Sequence, residues 1–237
     1  MLCTLTLNDR AHRAPQLTTD PLAGIRDGIL RGIAHALSNR VAALSGVRGL
    51  VDFGDLSSQR LSLALQAEVS QLGALVDLLR LLATDSRQRG EAIGLQTVLP
   101  QVVALHALHP DLRDVPCTLV HDPETAPVHL TRSALVQSVL VLIDAAKRHA
   151  LANKGSVTVA CAGDPAWVTI AVESNRGPGA TARNDDVARL QEHIGPLIEH
   201  LDPSLALEIV STNGDSNGVR LALKLATLKE VRRREQT

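Results

Sequence analysis

The sequence predicts an α+β protein: a long antiparallel helical hairpin that pairs into a dimeric four-helix bundle, followed by an α/β sandwich. Three observations carry this expectation. Apolar residues recur at steps of three and four from Leu22 to Val51 and again from Leu61 to Leu82, which is the helical period. The stretch DFGDLSS at 52–58 separates the two runs with Gly54 and capping residues. Beyond TDSRQRGE at 84–91, a polar junction rich in breakers, short strand-like runs alternate with helical ones.

The first 20 residues are polar and mixed and end in TTDP, so they read as a flexible leader, with Asp20 as cap and Pro21 in the first turn of a helix. A hairpin domain then spans 21–88. Each of its helices carries an apolar stripe wider than one partner can cover, and a second copy of the chain supplies the missing face. A boundary near residue 90 opens a second domain over 91–228. It reads as a helix at about 95–109, the strand CTLVH, a helix at 131–150, and strands SVTVACA and AWVTIAVES around a GDP turn. A helix at 184–200 and the strands LALEIVS and GVRLALKL follow, giving helices on a mostly antiparallel sheet. Residues 229–237 read as a charged tail, a solvated helix end.

Composition narrows the function. The chain of 237 residues is 45% apolar, enough for a real core, and its 24 basic and 25 acidic residues nearly cancel. Neither nucleic acid nor an anionic membrane is called for by that charge. Trp167 and Phe53 are the only aromatics besides histidine, so base-stacking surfaces are absent. Three scattered cysteines without a Cys-x-x-Cys pair suit a reducing cytoplasm, and no run approaches a membrane span. His106 with His109, and His193 with His200, have helical or near-helical spacing but no third ligand nearby, so no metal is expected.

Within the first helix, His35 falls about 160° from the centre of the apolar stripe and should face solvent. Gly28, Arg31, Gly32, Asn39, Ala42 and Gly46 surround it on that face. Most are small and support a helix poorly, which leaves a bare surface suited to a docking partner. An imidazole, whose ordinary pKa is about 6.5, offers a lone pair that attacks phosphorus in line. Arg31 and Arg40 stand near enough to offset phosphate charge. The spacing alone leaves a surface histidine as the plainer explanation.

The segment AHALSNRVAALSGVRGLV resembles the H box of sensor histidine kinases, whose phosphoacceptor histidine has an asparagine four residues on; here these are His35 and Asn39. The resemblance covers about residues 22–226. HLTRSALVQSVLVLIDAAKRHA looks like the kinase N box, matched at Leu135, Gln137, Leu142, Ile143, Ala146, Arg148 and His149. Its two asparagine positions hold Val141 and Ala145, and a shift of one residue brings only Asp144, so the oxygen ligands that hold magnesium and phosphate are depleted. TIAVESNRGPGA resembles the first glycine box, with Ser174 at the adenine-contacting aspartate, then Asn175, and with Arg176 before Gly177 and Gly179. A serine cannot supply that carboxylate's charge. The glycine-rich phosphate lid has no counterpart, and the acid that follows the histidine in active kinases is Ala36.

What the resemblance implies is a histidine phosphotransferase of the ChpT type, with a degenerate kinase ATPase-like domain behind a phosphotransfer hairpin. His35 is then the phosphoacceptor, assisted by Asn39 and Arg31. Asp144, Ser174, Asn175, Gly177 and Gly179 are remnants of a nucleotide site that holds no cofactor stably. Phosphate passes between response-regulator receiver domains, the receiver supplies Mg²⁺, the protein is a cytoplasmic homodimer, and an upstream hybrid kinase is a further partner. In that picture Gly32, Ala36 and Ala42 make room for the receiver's helix and the second domain is a docking wall. Two alternatives remain open: a non-catalytic pseudokinase scaffold that binds a response regulator, and a divergent active histidine kinase.

Overall fold

The computed structural model describes residues 21–52, 58–83, 89–122, 124–177, 185–212 and 218–236. The leader and the 53–57 connection lie outside the described residues. Helices α1 (Pro21–Asp52) and α2 (Ser58–Leu82) form the N-terminal part. They pack along each other in antiparallel fashion, with Arg40 of α1 meeting Glu68 of α2 across the 53–57 connection at 3.4 Å. Only Ile25, Ile29, Ile33 and Leu75 of the hairpin's described apolar residues are fully buried.

The rest of the chain runs β1 (Glu91–Ile93), α3 (Leu95–His106), β2 (Cys117–His121), β3 (Val128–Leu130), α4 (Arg132–Ala152), β4 (Ser156–Gly163) and β5 (Trp167–Asn175). It continues through α5 (Asp185–Leu201), β6 (Ala206–Thr212), β7 (Gly218–Ala226) and α6 (Leu228–Glu235). Five strands pair in the order β2-β4-β5-β7-β6, with β2 parallel to β4 and every other pairing antiparallel. β1 and β3 form a separate antiparallel pair.

Alternation decides which sheet face is covered. Val157, Val159 and Cys161 of β4 stand opposite Ser174, Val172 and Ile170 of β5, and these opposite Val219, Leu221 and Leu223 of β7. All nine are buried, whereas the in-between positions carry the partly exposed Thr158, Glu173 and the exposed Lys224, the pattern of a sheet covered on one face. α4 lies at the centre of the helical layer. Thr131 caps it by accepting from the Ala134 N–H at 3.3 Å, and Leu135, Leu140, Leu142 and Ile143 are wholly buried. It is apolar nearly all round because the sheet covers one side and α1, α2, α3 and α5 pack on the others.

Three expectations need correction. α3 ends at His106 rather than near 109, because Pro110 can neither donate nor sit behind a helical residue without a clash. The chain leaves it through a series of turns that carry Leu108, His109, Leu112 and Val115. The C-terminal helix end is anchored at its base and not solvated throughout: Thr227 caps α6 by accepting from the Glu230 N–H, and Glu230 is buried, while Lys229, Arg232, Arg233 and Arg234 are exposed. Finally, the glycine face of α1 is not bare. A Cβ added to Gly28 would overlap the His109 ring, and one added to Gly32 would overlap the Leu108 carbonyl. Both glycines exist to let the turn after α3 press directly on the α1 backbone.

No helix among the described residues is long and apolar enough to cross a membrane. Because Leu142 of α4 is wholly buried in the core, Leu142→Ala is expected to destabilise the fold by about 2–5 kcal/mol. The exposed Leu151→Ala, on the same helix, should stay within about 0.5 kcal/mol. Chemical denaturation of both variants checks this.

Candidate functional site

His35 sits on the exposed side of α1, and its ring Nε2 lies 3.4 Å from the Asn39 amide nitrogen one turn later. The pair is adjacent because positions four apart share a helix face. The glycines at 28 and 32 are taken up by the turn that carries Leu108 and His109, so that turn walls the N-terminal flank of His35. Its C-terminal flank, Ser38, Asn39, Ala42 and Gly46, is exposed, and a Cβ at Gly46 or Gly49 would meet nothing. The open surface beside His35 therefore runs toward residue 46, not back toward residue 28.

The two arginines assigned near phosphate divide. Arg31 is exposed and approaches the equally exposed Asp111 of the turn at 3.9 Å, a contact of small energetic weight. Arg40 is instead held by Glu68, both carboxylate oxygens lying within 3.5 Å of one guanidinium nitrogen. Its charge is committed to the hairpin.

Of the remnant nucleotide residues, Asp144 lines a groove of about 330 Å³ between α4 and α5, one wall of which is Ile25 of α1. Asp144 lies there, buried, but Arg148 forks onto its carboxylate at 2.6 and 3.2 Å. Ser174 is turned into the core, where its hydroxyl meets His149 Nδ1 at 2.8 Å and the Val219 carbonyl at 3.3 Å. His149 Nε2 in turn faces Asp186 at 3.4 Å, and Arg176 pairs with Asp186 at 2.7 Å. Asn175 and Gly177 serve the backbone: the Asn175 carbonyl packs on Gly155, and Gly177 donates to the Asn153 carbonyl at 3.0 Å. Gly179 lies outside the described residues. In the groove Asp144 is thus paired with Arg148 and His149 faces Asp186, and Val141 offers it only hydrocarbon.

Sequence reasoning set His106 and His109 aside, and the structure gives them a place. Both are buried, and their rings stack at 5.9 Å, His106 at the end of α3 and His109 in the turn that packs on Gly28 of α1. His106 Nε2 stands 3.6 Å from Asp144, and Lys147 donates to the Leu112 carbonyl at 3.2 Å. The sequence signal was present but ambiguous: two histidines at i and i+3 among leucines mark a buried helix end as readily as a ligand pair. Among the described residues no three His, Cys, Asp or Glu side chains converge as a metal would require.

Burial controls the protonation of this cluster. It pushes the His106, His109 and His149 imidazoles below their ordinary range, more strongly than the nearby carboxylates raise them. Burial alone would push the Asp144 carboxyl up, but the approach of His106 and the Arg148 fork hold it below the usual carboxylate range. The fork is the firmer contact, since 3.6 Å is too long for a hydrogen bond.

No protein-family model matches the sequence, and no curated protein matches it. Solved structures that overlay on it include the histidine kinase AdeS of Acinetobacter baumannii, 19% identical, covering 82% of this chain and 98% of that one with a TM-score of 0.43. The histidine kinase ThkA in complex with the response regulator TrrA is 15% identical, covering 88% of this chain and 64% of that one with a TM-score of 0.45. A bacterial phosphotransferase is 11% identical, covering 87% and 97% with a TM-score of 0.41. At these identities and overlay scores the likenesses carry no argument about function.

The buried imidazoles make a signed prediction. The folded state keeps them neutral while the unfolded chain takes up protons from about pH 6.5 downward, so the unfolded state binds more protons and stability falls as the solution is acidified. The Tm is expected to drop between about pH 7.5 and 5.5. His106→Leu, which removes a side chain with both ring nitrogens unpartnered, should flatten that slope, as thermal melts across the range will report.

Proposed function

We propose that the protein is a histidine phosphotransferase that relays phosphate between response-regulator receiver domains through His35. The observation that carries this reading is an exposed imidazole paired with the Asn39 amide at 3.4 Å, on a helix face left open by Ser38, Ala42 and Gly46. The H-box resemblance of the same residues supports it.

In the reaction, a receiver's aspartyl phosphate is brought in line with an unprotonated ring nitrogen of His35. The N–P bond forms as the P–O bond to the aspartyl carboxyl breaks, and the carboxylate leaves with the electron pair. The Asn39 amide donates to a phosphoryl oxygen. Arg31 adds a positive charge one turn away, and the receiver supplies Mg²⁺. Reverse transfer to a second receiver follows the same path. An ATP-dependent route is disfavoured by Ala36 in place of an acid and by the mutual pairing of Asp144 with Arg148 and of Ser174 with His149. With no productive nucleotide site, the sandwich acts as a wall beside the docked receiver.

Dimerisation belongs to the same reading. Val41 is 60% exposed and Val69 64% exposed, and Leu30, Leu65 and Val76 are also open to solvent. Apolar side chains so open along two packed helices call for a second hairpin, which closes a four-helix bundle.

Incubation with a ³²P-labelled phosphoreceiver is expected to label the protein, and His35→Ala is expected to abolish the label. Asn39→Ala should slow transfer by about tenfold or more, the loss of one donor to the phosphoryl group. Label from ATP alone would overturn the relay in favour of a kinase, and label from neither donor would favour a scaffold. Val69→Glu with Val76→Glu should convert a dimer to monomers, read by light scattering after gel filtration; wild-type monomers would refute the bundle.

A further inference from the structure

A large cavity lies away from His35, beneath α6. We infer that this groove is a docking site for an acidic segment of a partner protein, one that carries apolar anchor side chains.

Its volume is about 820 Å³, and its floor is hydrocarbon: Ala126, Pro127, Pro165, Ala166, Trp167 and Leu228. Its rim is cationic. Lys229, Arg232 and Arg233 line it, Lys224 Nζ sits 4.8 Å from the centre of the Trp167 ring, and the Arg234 guanidinium sits 4.9 Å from it. Against these stand Glu230, which is buried and already holds Arg233 and Arg234, and Asp164, whose carboxylate is drawn onto the Ala166 and Trp167 amides. The charge left facing solvent is positive on a chain whose net charge is −1. Complementarity therefore selects a negative occupant, while the apolar floor selects one with side chains to bury.

The groove is built rather than incidental. Thr227 Oγ1 donates to the Pro165 carbonyl at 2.7 Å, its N–H donates to the Ala166 carbonyl at 3.0 Å, and the Leu228 N–H donates to the Pro127 carbonyl at 3.0 Å. These three bonds fix the base of α6 to both walls, so little ordering cost attends binding. Pro127 and Pro165 have no N–H to offer an added strand. The occupant is held by its side chains, not by extension of the sheet.

Trp167 is the sole tryptophan, and its emission reports the groove directly. Full-length protein is titrated with a short synthetic peptide alternating Glu and Leu. A saturable change in Trp167 emission is expected, with affinity lowered about tenfold by Lys229→Glu combined with Arg232→Glu. Both positions are exposed, and circular dichroism verifies that this variant folds; the milder Arg232→Gln should weaken binding in the same direction. The proposal is overturned by an absence of saturation, or by equal binding of a Lys/Leu peptide, of polyglutamate without leucine, or of a DNA duplex. His35→Ala should bind the peptide as the wild type does, so a failed phosphotransfer assay and a failed docking assay are told apart.

Discussion

The close approach of the Leu108–His109 turn to the α1 backbone organises the rest of the molecule. Only glycine at positions 28 and 32 admits it, and three consequences follow from that one contact. Ile25, Ile29 and Ile33, on the adjoining face of the same turns, are buried in the core. The His109 ring is sealed under α1, which strips it and the stacked His106 of water. One flank of His35 acquires a fixed wall, while the other stays open.

The wall explains why so much polar chemistry is buried behind it. Asp144, Arg148, His106 and Lys147 meet where α4 passes beneath the hairpin. Desolvating such groups costs more than a simple ion pair returns, so they add little to stability relative to a hydrocarbon core. They do specify arrangement: Lys147 reaches the Leu112 carbonyl only if the 107–115 turns are in place, and Asp144 is satisfied only by Arg148 on its own helix. Displaced 107–115 turns would leave the Lys147 ammonium buried without its acceptor. The polar cluster thus fixes the turns against α4, and those turns pack on Gly28 and Gly32 of the helix that carries His35.

Much of this was legible in the sequence, and what was not has physical reasons. The two hairpin helices follow from steps of three and four, and the outward direction of His35 follows from the same wheel. The five strands of the main sheet follow from alternation, because one of its faces is covered and the other is wet. β1 and β3 were missed because three residues are too few to show a period of two. The function of Gly28 and Gly32 was misread because a glycine pattern records that space is needed and not what fills it; the occupant, Leu108–His109, is some 80 positions away in sequence and no local rule links them. The anchoring of α6 was likewise hidden, since nothing in Lys-Glu-Val-Arg-Arg-Arg-Glu shows that Glu230 is buried and that Thr227 caps the helix start.

The electrostatics around His35 bear on how a relay there would work. A phosphoryl group on the ring brings roughly two negative charges to an exposed helix face. Arg40 is the cation placed by sequence to meet them, and Glu68 holds it. Arg31 remains nearby, but Asp111 shares it and solvent screens it. The hairpin therefore offers the phosphoryl group an amide and one shared guanidinium, far less than the metal-centred clamp that phosphoryl transfer needs. On the phosphotransfer reading, the missing charge has to arrive with the partner. Transfer then proceeds only while a receiver is docked, and the phosphohistidine is shielded from loss to water by the same feature that makes the isolated site inert: it holds the group without activating it.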